Sequence, residues 1–181
     1  MSDQGGGHVH VGSSRVDPGM LRIGIVVISS KIVSGGAADS GRGMIERMVK
    51  DIPAELMAYD VVPDDRTAIR DRLVRMCEDD RPDVLLTVGG TGVRPTDWAP
   101  EATREIIEKE VPGIGEAMRQ ESLKKVRTAM LSRGTAGIRK HTLIVNLPGS
   151  PKGARENFSV LLPILDHTVE KVRNSTAQRG G

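Results

Sequence analysis

The sequence predicts an α/β domain with a mostly parallel sheet and helices on both of its faces. Three observations carry this. Leu21–Ile28 and Val84–Val88 are nearly continuous apolar runs, as strands covered on both sides require. Segments with apolar residues at helical spacing alternate with these runs. The connections between them are short, which favours parallel crossovers.

In chain order, residues 1–20 are rich in Gly, Ser and His without a hydrophobic period, and are expected to form a disordered tail. His8 and His10 in that tail are too few for a structural metal site. One domain spans 21–173, and 174–181 is expected to be a flexible C-terminal tail. The first strand, Leu21–Ile28, leads to a helix carrying Met44, Ile45, Met48, Val49 and Ile52, with Asp39 or Ser40 as its cap. A second strand lies near Leu56–Val62. The helix after it carries Ile69, Leu73 and Met76 and is capped by Asp64 or Asp65. Val84–Val88 runs straight into Gly89, and a helix opens at Pro100, a residue favoured in a first turn. Residues 112–128 read as a further helix, and a strand pair leads to a buried strand at His141–Leu147. The closing helix, 151–173, contains Pro163, where a kink or a break is expected.

Composition narrows the function classes. The chain has 181 residues and a net charge of +2, a balance that calls for no polyanionic partner. Trp98, Tyr59 and Phe158 are its only aromatic residues, too few for the stacking platforms of single-stranded nucleic-acid binders. Cys77, the single cysteine, excludes an intrachain disulfide and reads as a buried thiol. No apolar run is long enough to span a bilayer and no signal-peptide core opens the chain, so the expected location is cytoplasmic, with no membrane partner.

Open parallel sheets bind ligands outside the carboxyl ends of their strands. That rule selects the loops Ser29–Ser40, Pro63–Asp65, Gly89–Asp97 and Pro148–Gly153, which are also rich in Gly, Ser, Asp and Pro. Gly89-Gly90-Thr91-Gly92 offers bare amides at a strand end and is either a nest for an anion or a tight turn. It matches neither the dinucleotide fingerprint nor a P-loop. Asp97 and Asp64 are each either a helix cap or a Mg²⁺ ligand facing phosphates. Pro148–Gly153 has the composition of a helix entrance with an anion site: Pro151 suits the first turn, Ser150 supplies an oxygen or a donor, and Lys152 brings charge. The loop Ser132–Gly137 says little by itself.

Taken together, the blocks Ile28-Ser29, Asp39-Ser40-Gly41, Val61–Asp64, Thr87–Gly92 with Asp97, Pro100–Ala102, Pro112–Glu116, Ser122, Ala129–Arg133 and Asn146–Pro151 resemble, in order, the molybdopterin adenylyltransferases. This is the Mog/MoaB group of molybdenum-cofactor biosynthesis, related to the gephyrin G domain. The resemblance covers roughly 21–173 and implies a three-layer α-β-α, molybdopterin-binding-like fold. It implies adenylyl transfer from ATP, with Mg²⁺, to the terminal phosphate of molybdopterin, releasing pyrophosphate. Asp64 and Asp97 match the catalytic acids and are the implied metal ligands. The implied substrate and nucleotide contacts are Ser29, Ser30, Gly89, Gly90, Thr91, Gly92, Glu101, Ser122, Ser132, Asn146, Pro148, Gly149, Ser150 and Lys152. It further implies a homotrimer and handover of the product to a molybdenum insertase, for a cofactor of molybdenum or tungsten.

Two positions depart from the family pattern. Ser30 stands where an acid is usual, and Trp98-Ala99 replaces a small aliphatic residue and a threonine after Asp97. Trp98 is expected at the pocket rim or at a subunit contact. A non-catalytic pterin-binding or scaffold relative, supported by Ser30, and a related nucleotide hydrolase are the alternative functions.

Overall fold

The computed structural model describes residues 19–177 of the chain. The His8–His10 pair and residues 178–181 of the expected C-terminal tail lie outside them, as does the N-terminal tail up to residue 18.

The sheet has six strands in the order β2-β1-β3-β6-β5-β4. β1 (Leu21–Ile28), β2 (Ala54–Val62), β3 (Val84–Val88) and β6 (Thr142–Leu147) run parallel. β5 (Ala136–Arg139) and β4 (Lys109–Glu110) form an antiparallel pair ahead of β6, and β5 also pairs antiparallel with β6, which makes this edge of the sheet antiparallel. Side-chain alternation divides the core. Ile23, Ile25 and Val27 of β1 face one cluster with Met44, Ile45, Met118, Phe158 and Leu161. Val26 and Ile28 face the other, with Ile69, Leu73, Ala99 and Ala102. The first cluster is covered by α2 (Gly41–Val49), α5 (Pro112–Leu123) and α6 (Pro151–Ala177). The second is covered by α3 (Arg66–Arg75) and α4 (Ala99–Arg104). These are the three layers, and the central strands β1, β3 and β6 are largely apolar because both of their faces are buried.

Several boundaries differ from the sequence reading. α5 ends at Leu123 rather than 128: Val126 is extended, and a 3-10 segment, Arg127–Leu131, follows. Lys124 and Lys125 stand where a helix C-terminus favours cations. α6 runs through Pro163 without a break and continues to Ala177. Pro163 is exposed while Phe158, Leu161, Leu165 and Val169 are buried, so the helix bond that proline forfeits lies on the solvent side, where water satisfies the freed carbonyl. A short helix, α1 (Ser30–Val33), opens the loop after β1. Cys77 is buried as expected, and burial pushes its thiol up to about 11, which leaves it inert at neutral pH.

Candidate active site

The loops after β2, β1, β3 and β6 lie side by side on one edge of the sheet, because these strands are neighbours and parallel. At the centre, Gly89 and Gly90 have φ of +106° and +66°, and a Cβ on Gly89 would stand 2.7 Å from the Ile28 carbonyl oxygen. Only glycine meets both conditions. The carbonyls of this loop are occupied: those of Gly90 and Thr91 accept from the amides of Ala99 and Arg133, and that of Gly92 accepts from Arg133 Nε. The N–H groups of Gly90, Thr91 and Gly92 donate to no acceptor among the described residues. All three residues line a cavity of about 460 Å³ together with Ile28, Arg94, Asp97, Gly149 and Ser150. Unpaired amides and protein-bound carbonyls in a loop that lines the cavity have the make-up of an anion nest.

Asp97 does not cap α4. The residue preceding that helix is Trp98, which makes no capping bond. The Asp97 carboxylate turns back instead and accepts the Arg94 N–H at 2.8 Å. Its Oδ2 would be 2.8 Å from a Cβ at position 92, so Gly92 is what lets the loop close on the acid. Asp97 is buried at 3% exposure and is the acid of the cavity wall.

Asp64 is likewise not a cap, since Asp65 takes that role by accepting from the Ala68 amide at 2.8 Å. Asp64 is clasped to Ser30 in both directions. Its Oδ2 accepts the Ser30 amide at 2.7 Å, and its own amide donates to Ser30 Oγ at 2.8 Å. The hydroxyl found where an acid is usual therefore holds the acid of the adjacent loop. Asp64 stands at the same sheet edge but is not part of the cavity lining. Ser30→Ala removes one of the two bonds, and we expect a few-fold loss of turnover at this site with unchanged thermal stability, restored by Ser30→Thr. Steady-state kinetics of the two variants checks this, and wild-type rates in Ser30→Ala would leave the clasp without a role.

The remaining expected contacts fall into separate groups. Gly149 and Ser150 line the 460 Å³ cavity, and Ser150 Oγ accepts from Gly153 N at 3.1 Å as α6 begins. Ser122, Ser132, Pro148 and Ser150 line an adjoining cavity of about 250 Å³ whose wall includes Gly92 and Leu131, residues shared with the first. Ser122 Oγ donates to Asn157 Oδ1 at 3.3 Å there. Ser29 caps α1 by accepting from Ile32 N, and Lys152 is exposed in the first turn of α6.

Asn146 and Glu101 are engaged within the protein. Asn146, 1% exposed, donates to Thr87 Oγ1 and Thr103 Oγ1 and accepts from Thr135 N, which ties β3, α4 and β6 together. Glu101 pairs with Arg133. Burial pushes the Glu101 carboxyl up, but the hydrogen bonds and charge of Arg133 outweigh it and hold the group below its ordinary range. Trp98 is half-buried, packed on the second core cluster with Arg66 over its ring at 5.8 Å, and does not line the cavity.

Arg133 is the residue that sequence reasoning passed over. Besides Glu101 and the Gly92 carbonyl, at 2.7 Å, it donates to the Asp97 carbonyl at 2.8 Å. One guanidinium thus fixes the glycine loop, the acid and α4. Arg119 does the same for the facing loop, donating to the Gly134 carbonyl at 2.9 Å. The single signal for Arg133 was its place in the Ala129–Arg133 block.

The family described as "Probable molybdopterin binding domain" matches residues 24–167. The chain is 37% identical over 161 residues to a molybdopterin adenylyltransferase of Helicobacter pylori (strain J99), covering 87% of this chain and 91% of the relative. It is 41% identical over 141 residues to the molybdopterin adenylyltransferase of Escherichia coli (strain K12), covering 76% and 72%. Among solved structures, the molybdopterin biosynthesis enzyme MoaB of Thermus thermophilus superposes with a TM-score of 0.80 at 45% identity, covering 84% of this chain and 96% of that one.

Proposed function

The chain belongs to the molybdopterin-binding domain family, and from that premise we propose that it is a molybdopterin adenylyltransferase acting in molybdenum-cofactor biosynthesis. The observation that carries the mechanism is the row of amides without a protein acceptor at Gly90, Thr91 and Gly92, in a loop that lines the same cavity as Asp97. In the reaction, an oxygen of the terminal phosphate of molybdopterin attacks the α-phosphorus of ATP. A new P–O–P bond forms, the bond from the α-phosphorus to the bridging oxygen breaks, and its electron pair leaves on pyrophosphate. No covalent enzyme intermediate is needed, so positioning and charge neutralisation do the catalysis.

The two adjoining cavities suit two substrates. The glycine nest and the Gly149–Ser150 turn would hold the triphosphate. The less polar cavity between Ser122, Ser132 and Pro148 would hold the pterin, so that its phosphate meets the nucleotide at the shared wall of Gly92 and Ser150. Among the described residues no group of three or more acidic, His or Cys side chains could cage a metal. Asp97, the acid that lines the nest cavity, suits Mg²⁺, which takes one or two carboxylates and completes its shell with phosphates and water. Asp97, with Asp64, would hold it, and bound Mg²⁺ would neutralise the charge that builds on the phosphates. ATP chemistry of this kind goes with a cytoplasmic location, and the product would pass to a molybdenum insertase. Incubation of the protein with molybdopterin, ATP and Mg²⁺ should yield adenylylated pterin and pyrophosphate in equal amounts. Pterin binding without product would sink the enzyme reading.

A homotrimer is the proposed assembly. The exposed apolar side chains Val126 and Met130 are candidates for burial between subunits. Native mass spectrometry should give three times the chain mass, and a monomer would remove the proposal.

A further inference from the structure

We infer that Arg94 is a mobile clamp for the outer phosphates of the nucleotide, the ones that leave as pyrophosphate. The inference rests on the adenylyltransferase reading and names a contact that reading does not contain. Among the described residues lining the 460 Å³ cavity, Arg94 is the one basic side chain, and Asp97 is the one acidic one. A triphosphate brings about four negative charges into this space, and free amides neutralise only part of them.

The two members of the pair are held very differently. The Asp97 side chain is 2% exposed, whereas that of Arg94 is 76% exposed. The Arg94 backbone amide binds the carboxylate at 2.8 Å, but its guanidinium touches it only through contacts of 3.4 Å, too long to hold an arginine firmly. The side chain is therefore free to exchange Asp97 for a better acceptor while its own backbone keeps the acid in place. A phosphate oxygen is that acceptor, because the guanidinium fork matches it with two charge-assisted bonds.

Position selects which phosphates. Gly90 lies beside the Ile28 side chain and is buried with Thr91, while Arg94 follows the exposed Val93 on the solvent side of the loop. The α-phosphate, which must meet the pterin phosphate, belongs to the amides. The β- and γ-phosphates point outward, where the product leaves. Moving Arg94 onto them also uncovers the Asp97 carboxylate at the moment the nucleotide arrives.

The test is calorimetric titration of the full chain, in the presence of Mg²⁺, with pyrophosphate, AMP and a non-cleavable ATP analogue bearing methylene between its α- and β-phosphates. Arg94→Gln should weaken pyrophosphate and the analogue by about tenfold, the scale of one charge-assisted bond, with AMP changed less than about twofold. Arg94→Lys should recover part of the loss, since it keeps the charge but not the fork. The melting temperature should not move, because the side chain is exposed. Unchanged pyrophosphate affinity in Arg94→Gln, or an equal loss for AMP, overturns the clamp. If wild-type protein forms no adenylylated pterin yet loses pyrophosphate affinity on Arg94→Gln, the clamp stands and the reaction assignment falls. A wild-type protein that binds neither pyrophosphate nor the analogue overturns both.

Discussion

Asp97→Asn should lower the formation of adenylylated pterin by on the order of 100-fold while leaving the fold intact, the scale seen when one preorganised charge-stabilising group is removed from an active site. The amide keeps the size of the carboxylate and an oxygen for the Arg94 N–H, so the turn from Arg94 to Asp97 survives. What disappears is the negative charge on the cavity wall, in a position 3% exposed where water cannot replace it. The variant should melt within a few degrees of wild type and still bind molybdopterin, whose proposed cavity lies on the other side of Gly92. Single-turnover measurement of adenylylated pterin at saturating ATP and Mg²⁺ reads the effect. A rate within threefold of wild type would return Asp97 to a purely structural part. Loss of folding in the same variant would be checked against Asp97→Glu, which keeps the charge and crowds Gly92.

Arg133→Met should cost about 2–3 kcal/mol of stability and most of the activity as well. Methionine keeps much of the side-chain length but leaves the carbonyls of Gly92 and Asp97 and the carboxylate of Glu101 without their donor. Both effects come from one group, because the guanidinium that stabilises α4 against the loop also sets the height of the nest. Urea unfolding measures the first effect and ATP titration the second. Adding Glu101→Gln should cost less than the sum of the single changes, since the two residues share one pair.

The same pair gives a sign for pH. Glu101 is held below its ordinary value in the folded state, so its contribution is present above the unfolded value, 4.5, and is lost as pH falls through the lower folded value. Acid unfolding of Arg133→Met should therefore show less loss of stability below pH 4.5 than wild type. An identical acid profile would remove Glu101 from the balance.

Much of this site was legible in one dimension because its parts are backbone features. Gly89 must be glycine by its φ and by the Ile28 carbonyl beside it, and a glycine run after an apolar strand shows that in sequence. Asp64 and Asp97 were legible as acids at strand ends, with capping and metal roles still open. Packing decided between those roles: Asp65 took the cap of α3, and Asp97 turned back to Arg94. Helix ends were less legible. Within 112–128 only the Lys124-Lys125 pair hints at an end at Leu123, and Pro163 signals a break that an exposed face makes harmless.

By itself, the sequence determined the alternation of apolar strands and amphipathic helices, the sheet edge that carries the loops, and the order of family blocks on that edge. Each of these is a pattern of neighbours along the chain, set by periodicity and backbone freedom. Only the tertiary structure decided that Asn146 and Glu101 are spent on holding the scaffold, that Ser30 clasps Asp64, and that Arg133 ties the acid to the glycine loop. Those assignments depend on which donor reaches which acceptor across elements tens of residues apart. Such a distance has no local signature in the sequence and becomes definite only when the layers close.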